Sequence, residues 1–94
     1  MLFEVITKAN PIGISGDEFL RRLPKGVAYM KDLRAQGVIV HSWIRIGGYG
    51  ATTIFSVSSH EELLRCLSGN PLLPHISFEI IPLAESGSFD GNIS

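Results

Sequence analysis

A single cysteine, Cys66, occurs in the chain. It excludes an intrachain disulfide framework and a cysteine-rich zinc site. Positive charge is not in surplus: eight Lys and Arg stand against nine Asp and Glu, a net charge of -1. Nucleic-acid binding needs a concentrated basic footprint, so no nucleic-acid partner is expected. No stretch approaches the roughly 20 apolar residues of a membrane span. Met1 to Lys8 carries Glu4 in its middle and lacks the apolar core of a signal peptide. No two histidines sit at metal-ligand spacing, and no repeat or low-complexity segment interrupts the chain. These absences predict a cytoplasmic protein with neither membrane nor metal.

What is present points to a packed core. Hydrophobic residues make up 45% of the 94 positions and charged residues only 18%. The length allows one domain. A mean hydropathy of +0.24 is high for so small a chain. Small domains expose much of their surface, so the surplus predicts a contact between copies, and hence a homo-oligomer.

The local patterns alternate. Leu2 to Lys8 is short and rich in aromatic and β-branched residues, which predicts a strand. Ser15 precedes Glu18 by three, a capping-box spacing, and Phe19, Leu20, Leu23, Val27, Met30 and Leu33 follow with helical periodicity. Pro24 predicts a kink or a split in that helix. Val38 to Ile46 and Ala51 to Val57 flank Gly47-Gly48-Tyr49-Gly50 and read as an antiparallel hairpin. Ser59 and Glu62 open a second helix that ends at Gly69. His75 to Pro82 reads as the last strand. The order is strand, helix, strand, strand, helix, strand. It predicts an α+β, ferredoxin-like βαββαβ sandwich, with a four-stranded antiparallel sheet and two helices on one face. Residues 1–84 form the single domain of this reading, and 85–94 form a polar C-terminal tail. Phe89 and Ile93 are its chief apolar residues, so the tail is expected to order only on another subunit.

Alternation along the strands divides the sheet into two faces. Phe3, Val5, Val38, Val40, Ile44, Ile46, Ile54, Ile76, Phe78 and Ile80 form an apolar set for the helices to cover. Glu4, His41, Trp43, Arg45, Thr53, Phe55, His75, Ser77 and Glu79 form the other. That mixture of aromatic and ionisable groups suits a subunit interface or a ligand cavity. On it, His41 could transfer a proton near neutral pH. Arg45 could hold a carboxylate by paired hydrogen bonds. Trp43 could form a flat apolar wall. The plainer reading pairs Arg45 with Glu4 or Glu79 and packs Trp43 between subunits. Lys25 and Tyr29, four apart, share a helix face. Lys25 could bind an anion there, or remain a solvated charge. The glycines around Tyr49 suit a tight turn, because a phosphate loop would need a lysine and a following helix. Cys66 falls inside the second helix as packing.

Several fragments occur together in a known order. They are Met1-Leu2-Phe3, Ala28-Tyr29, Gln36-Gly37, His41-x-Trp43, Gly47-x-Tyr49, Ile54-Phe55-x-Val57, Glu62-Leu63, Leu67-Ser68-Gly69-x-Pro71-Leu72-x-Pro74 and Glu79-x-x-Pro82-Leu83-Ala84. In this the chain resembles muconolactone isomerases over roughly residues 1 to 84. The resemblance implies a ferredoxin-like subunit that assembles through its sheet. It implies an isomerase that moves a double bond within a small, acidic, unsaturated lactone. No cofactor is implied, only protein acid/base groups. Related folds carry out cyclisation and dehydration on polyketide-like substrates. Two acidic positions of the family differ here: Gly26 replaces a glutamate, and Gly48 replaces a second one in the hairpin turn. His41, His75 or Glu79 are then the possible bases, with His41 the leading proton-transfer group and Tyr29 a hydrogen-bond donor to a developing enolate. Lys25, Trp43, Arg45, Tyr49, Phe55, His75 and Glu79 complete the expected substrate site. The leading reading is a cofactor-independent isomerase or cyclase on a small unsaturated lactone- or polyketide-like molecule. The alternatives are a non-catalytic binding or assembly protein on the same fold, and a true muconolactone isomerase.

Overall fold

Both helices begin on a serine. The Ser15 hydroxyl accepts the Glu18 N–H at 3.1 Å, and the Ser59 hydroxyl accepts the Glu62 N–H at 3.1 Å. Each bond satisfies an amide that the first helical turn leaves without a partner. A computed structural model describes residues 1–10, 13–47 and 50–88. The elements are β1 (Leu2–Ala9), α1 (Gly16–Ala35), β2 (Ile39–Arg45), β3 (Gly50–Ser56), α2 (His60–Ser68) and β4 (Ile76–Leu83). Short 3-10 turns occupy Leu73–His75 and Ser86–Ser88. The strands form one antiparallel sheet in the order β2-β3-β1-β4. With two helices and this connectivity, the fold is ferredoxin-like α+β.

Helix α1 runs for 20 residues through Pro24 without a break, contrary to the split expected from the sequence. Proline removes one backbone donor from the ladder and leaves the carbonyl four residues earlier without its partner. Pro24 is exposed, so water reaches that side of the helix. At the far end Gly37 takes a positive φ of 80°. Few side chains tolerate that conformation, which stops the helix there.

The sheet faces also differ from the expected ones, in two strands. In β3, Thr53 and Phe55 are fully buried under the helices, at 0% exposure. They pair with Val5 and Phe3 of β1. Ile54 pairs with Glu4 and His41 and therefore lies on the outer face. The run Ile54-Phe55 is apolar at consecutive positions, so its pattern fits either phase. In β2 the register shifts between Ile39 and His41. This bulge lets two residues of equal parity face opposite ways. Ile39 enters the core while Val40 is exposed. Ile46 lies beyond the end of β2 and is exposed. His75 precedes β4, in the 3-10 turn.

The core joins Phe3, Val5, Ile39, Phe55 and Val57 of the sheet side to Leu33 of α1 and Leu63 and Leu67 of α2. It is concentrated under α2 and the C-terminal half of α1. The N-terminal half of α1 stands over the other end of the sheet. That end has its own closing device. β1 runs on past β3, and Thr7 Oγ1 donates to the Ala51 carbonyl while accepting the Ala51 N–H. Arg45 donates to the carbonyls of Ala51 at 2.7 Å and Thr7 at 2.6 Å. Gly50 lies beneath the guanidinium. A Cβ there would meet the Thr7 carbonyl oxygen at 1.9 Å and Arg45 Nη2 at 2.7 Å. Gly50→Ala must therefore move the backbone, and it is expected to cost about 1–3 kcal/mol. In a domain of this size each kcal/mol lowers the melting temperature by roughly 4–8 °C. Calorimetry of the variant measures the loss. An unchanged melting temperature would show that β1 and β3 separate freely at this end.

Candidate active site

The free end of the sheet and one face of α1, from Gly16 to Arg34, border a hollow. Its volume is about 810 Å³ and it is open to one side. Helical periodicity supplies one wall: Gly16, Phe19, Leu20, Leu23, Val27 and Met30 of α1 line it. Positions three and four apart share a helix face, which places these groups in one stripe. The sheet supplies the floor with Ala9, Ile39, Ile44, Ala51 and Ile76, and Leu72 closes the end. Leu20, Leu23, Val27 and Ile44 are exposed. An unsealed apolar hollow of this size is the usual form of a small-molecule site.

Its polar groups are few, and most are engaged. The Thr7 hydroxyl holds Ala51 at both ends. Ser42 Oγ lies 3.2 Å from Thr53 Oγ1 in a hydrogen bond. The Asn70 side-chain carbonyl accepts the Leu72 N–H at 2.9 Å. Lys31 and Arg34 continue the α1 stripe at the mouth. Neither forms an ion pair among the described residues, where the pairs present join Glu18 to Arg21 and Arg22. Lys8 also borders the hollow, but strand alternation turns its side chain to the outer face. No aspartate, glutamate or histidine lines the hollow among the described residues.

Gly26 explains one part of this. It is buried, and a Cβ on it would meet Leu72 Cδ1 at 2.5 Å and Cγ at 2.9 Å. Leu72 thus fills the space that a glutamate at position 26 would enter.

The residues expected from the sequence are dispersed. His41 and Trp43 do share a face and stack, with ring centroids 5.4 Å apart and planes 21° apart. Both are exposed on the outer side of β2, with the sheet between them and the hollow. Arg45 is turned to backbone carbonyls and pairs with neither Glu4 nor Glu79. Phe55 belongs to the core and not to the open face. Glu79 is exposed on β4, next to Ile6 of β1 in register. Lys25 is exposed on α1 and does not line the hollow. Tyr49, Phe89 and Ile93 lie outside the described residues.

His75 is only 7% exposed. Its Nε2 lies 3.3 Å from Arg22 Nη1. A guanidinium can only donate, so a hydrogen bond between the two would have Nε2 accept. The ring's Nδ1 has no partner among the described residues.

Tyr29 donates to the Cys66 carbonyl at 2.6 Å and packs against Gly69, joining α1 to α2. Burial, aided by Cys66, pushes its phenol above the ordinary value of 10.0. Burial likewise pushes the Cys66 thiol up, as suits a packing residue. A raised folded value means that the tyrosine's stabilisation is complete below pH 10 and lost as pH rises through the folded value. Tyr29→Phe is expected to cost about 0.5–1.5 kcal/mol in urea unfolding. It should also remove this alkaline limb from the pH profile of stability. A profile that keeps the limb would assign it to another group.

The hollow lies on the opposite side of the sheet from the site expected on the outer face. Its signal was present in the α1 periodicity: Leu20, Leu23 and Val27 recur on a face that the core does not use.

Among the described residues no helix is long and apolar enough to cross a membrane. No group of three or more His, Cys, Asp or Glu is placed to hold a metal ion there.

Comparison with known proteins agrees with this architecture. A model of the family described as muconolactone delta-isomerase matches residues 1–88. The muconolactone delta-isomerase of Acinetobacter baylyi is 34% identical over 84 residues, which cover 88% of either chain. That of Rhodococcus opacus is 36% identical over 66 residues, covering 70% of this chain and 71% of the relative. A crystal structure of muconolactone isomerase superposes over the whole of both chains with a TM-score of 0.80 at 24% identity. The 5-chloro-2-hydroxyhydroquinone dehydrochlorinase of Burkholderia phenoliruptrix, solved with 2,5-dihydroxybenzoquinone, has a TM-score of 0.69 at 15% identity, over 94% of this chain and 98% of its own. These two structural likenesses speak for the fold, and the sequence matches over most of the chain speak for descent: the chain belongs to the muconolactone delta-isomerase family.

Proposed function

We propose that the protein is a cofactor-independent isomerase that moves a proton, and with it a double bond, on an unsaturated oxygenated acid held in the hollow between α1 and the sheet. The observation that carries this reading is the hollow itself. About 810 Å³ of space lies beside an apolar helix stripe, in a chain of an isomerase family. Shifting a double bond next to a carbonyl passes through an enolate. Lys31 and Arg34 at the mouth suit the stabilisation of that negative charge, since a preformed cation acts without reorganisation. Tyr29, bonded to the Cys66 carbonyl, holds the two helices at their spacing in this reading and does not touch substrate.

The proton-transferring group is His41 in this proposal, and it serves the hollow of a neighbouring copy. Two features support the arrangement. The wall offers no carboxylate or imidazole among the described residues. β2 is an edge strand of the sheet and exposes Val40, Trp43 and Ile44, with Ile46 exposed just beyond it. An apolar edge strand tends to pair or pack with another chain. For His41 to reach a partner's hollow, the outer face of β2 in one copy must pack against the α1 side of the next, with the His41–Trp43 stack in the contact. The test is direct. Purified protein is incubated with muconolactone, and the double-bond shift is followed by ultraviolet absorbance and proton exchange with solvent. Turnover abolished by Val27→Asp supports the reading. Turnover undiminished by that change would sink it.

A further inference from the structure

We infer that the side-chain amide of Asn70 donates to the substrate's carbonyl oxygen and holds it as it becomes an enolate. This rests on the reading of the hollow as the substrate site. Asn70 follows Gly69, the C-cap of α2, and lines the hollow beside Leu72. The Leu72 N–H donates to its side-chain oxygen at 2.9 Å. A backbone N–H can only donate, so that end of the carboxamide is the oxygen and the other end is NH2. The NH2 has two hydrogens to give and meets no acceptor among the described residues. The other uncharged polar side chains of the wall are tied to the sheet. The Thr7 hydroxyl both donates to and accepts from Ala51, and Ser42 is bonded to the buried Thr53. Asn70 is tied by its oxygen alone.

Gly26 and Leu72 fix this donor before any substrate arrives. A Cβ at position 26 would come within 2.5 Å of Leu72 Cδ1 and 3.4 Å of the Asn70 side-chain oxygen. The bare glycine backbone seats both residues, and the buried Leu72 holds Asn70 through its N–H. A donor placed in advance needs no reorganisation when charge develops. In the reaction a C–H bond conjugated with the carbonyl breaks. Its proton goes to the base and its electron pair passes to the carbonyl oxygen, the atom that Asn70 bonds. Reprotonation at another carbon of the same conjugated system returns the carbonyl with the double bond moved. With the carbonyl at Asn70, the substrate's carboxylate is left toward Lys31 and Arg34 at the mouth, whose field also favours the enolate.

Two variants and two readouts test the role. Asn70→Asp keeps an oxygen for the Leu72 N–H and removes both donors; Asn70→Ala removes the donors without adding charge. The binding probe is 4-nitrophenolate, a delocalised oxyanion, with 4-nitrotoluene as an uncharged counterpart of similar shape, each followed by titration calorimetry. Both variants should bind 4-nitrophenolate at least about tenfold more weakly, the scale of a hydrogen bond to a charged group, with 4-nitrotoluene unaffected. With muconolactone, kcat of Asn70→Ala should fall by about 100-fold or more while KM changes little, since the bond reaches full strength only as charge develops. Asn70→Asp has a signature of its own. Protonating its carboxyl restores a donor, so its activity relative to wild type should recover as pH falls toward the ordinary carboxyl value of about 4. Unchanged kcat in both variants, or equal weakening of the two probes, would overturn the role of Asn70 and leave the hollow as the substrate site. Selective loss of 4-nitrophenolate binding, in a protein whose wild type does not turn over muconolactone, would keep Asn70 as the donor and remove the isomerase proposal. A wild-type protein that binds neither probe would overturn both.

Discussion

Replacing His41 by alanine or glutamine is expected to lower turnover by about 100-fold or more, the usual worth of a positioned acid/base group. The fold should be untouched. His41 is exposed on an edge strand, and its contact is a stack on Trp43. Exposed substitutions of this kind stay within about 0.5 kcal/mol in stability. The more informative result comes from mixtures. His41→Ala has an intact hollow, and Val27→Asp has an intact histidine. Unfolded together and refolded, the two inactive variants should regain activity. In a two-fold dimer random pairing restores about a quarter of wild-type turnover, because half the molecules carry one intact site. Recovery on mixing shows that the histidine of one copy serves the hollow of another. Loss of activity in His41→Ala with no recovery would place the histidine's action within its own chain. Full activity of His41→Ala and His41→Gln would remove it from the mechanism.

The fold was legible because its signals are local. Ser15 and Ser59 cap the helices that their spacing to Glu18 and Glu62 announces. The hairpin and the strand-helix alternation follow from short apolar runs broken by glycine and proline. What failed was phase. A bulge at Val40 and two adjacent apolar residues, Ile54 and Phe55, carry no one-dimensional mark of which side faces in. Pro24 failed for a related reason: its cost depends on whether the freed carbonyl is buried, and that depends on the helix position over the sheet. The site failed by consequence. Alternation places the chemistry-bearing His41, Trp43 and Arg45 in line on the outer face, away from the hollow. The hollow is instead made by a lateral offset. The core gathers under α2, so α1 overhangs one end of the sheet and leaves its own apolar stripe uncovered. No pairwise spacing encodes such an offset. At Gly26 the sequence offers no side chain, but what that permits is set by Leu72, distant in sequence and seated against the glycine.

Phe55 and Trp43 make the phase error measurable. Sequence alternation put both rings on the outer face, and the structure puts them on opposite sides of the sheet. Phe55 is fully buried and packed among Phe3, Val5 and Leu63. Truncating a buried phenylalanine removes its transfer energy and leaves a cavity, so Phe55→Ala should cost about 3–5 kcal/mol. That is a large part of the roughly 5–15 kcal/mol that holds a small domain together, and the variant should be partly unfolded at ambient temperature. Trp43 is 55% exposed and loses little within its own chain. Trp43→Ala should change the unfolding free energy at low protein concentration by about 0.5 kcal/mol or less. If β2 pairs copies, the same variant should dissociate the assembly, since aromatic residues dominate the energy of such contacts. Trp43→Asp should do so more completely by adding a charge to a buried contact. Urea unfolding and light scattering across a dilution series separate the two effects. Equal destabilisation by Phe55→Ala and Trp43→Ala in the dissociated chain would contradict the strand phase described. An unaltered assembly in both Trp43 variants would move the contact between copies away from β2, and with it the route by which His41 reaches a neighbour's hollow.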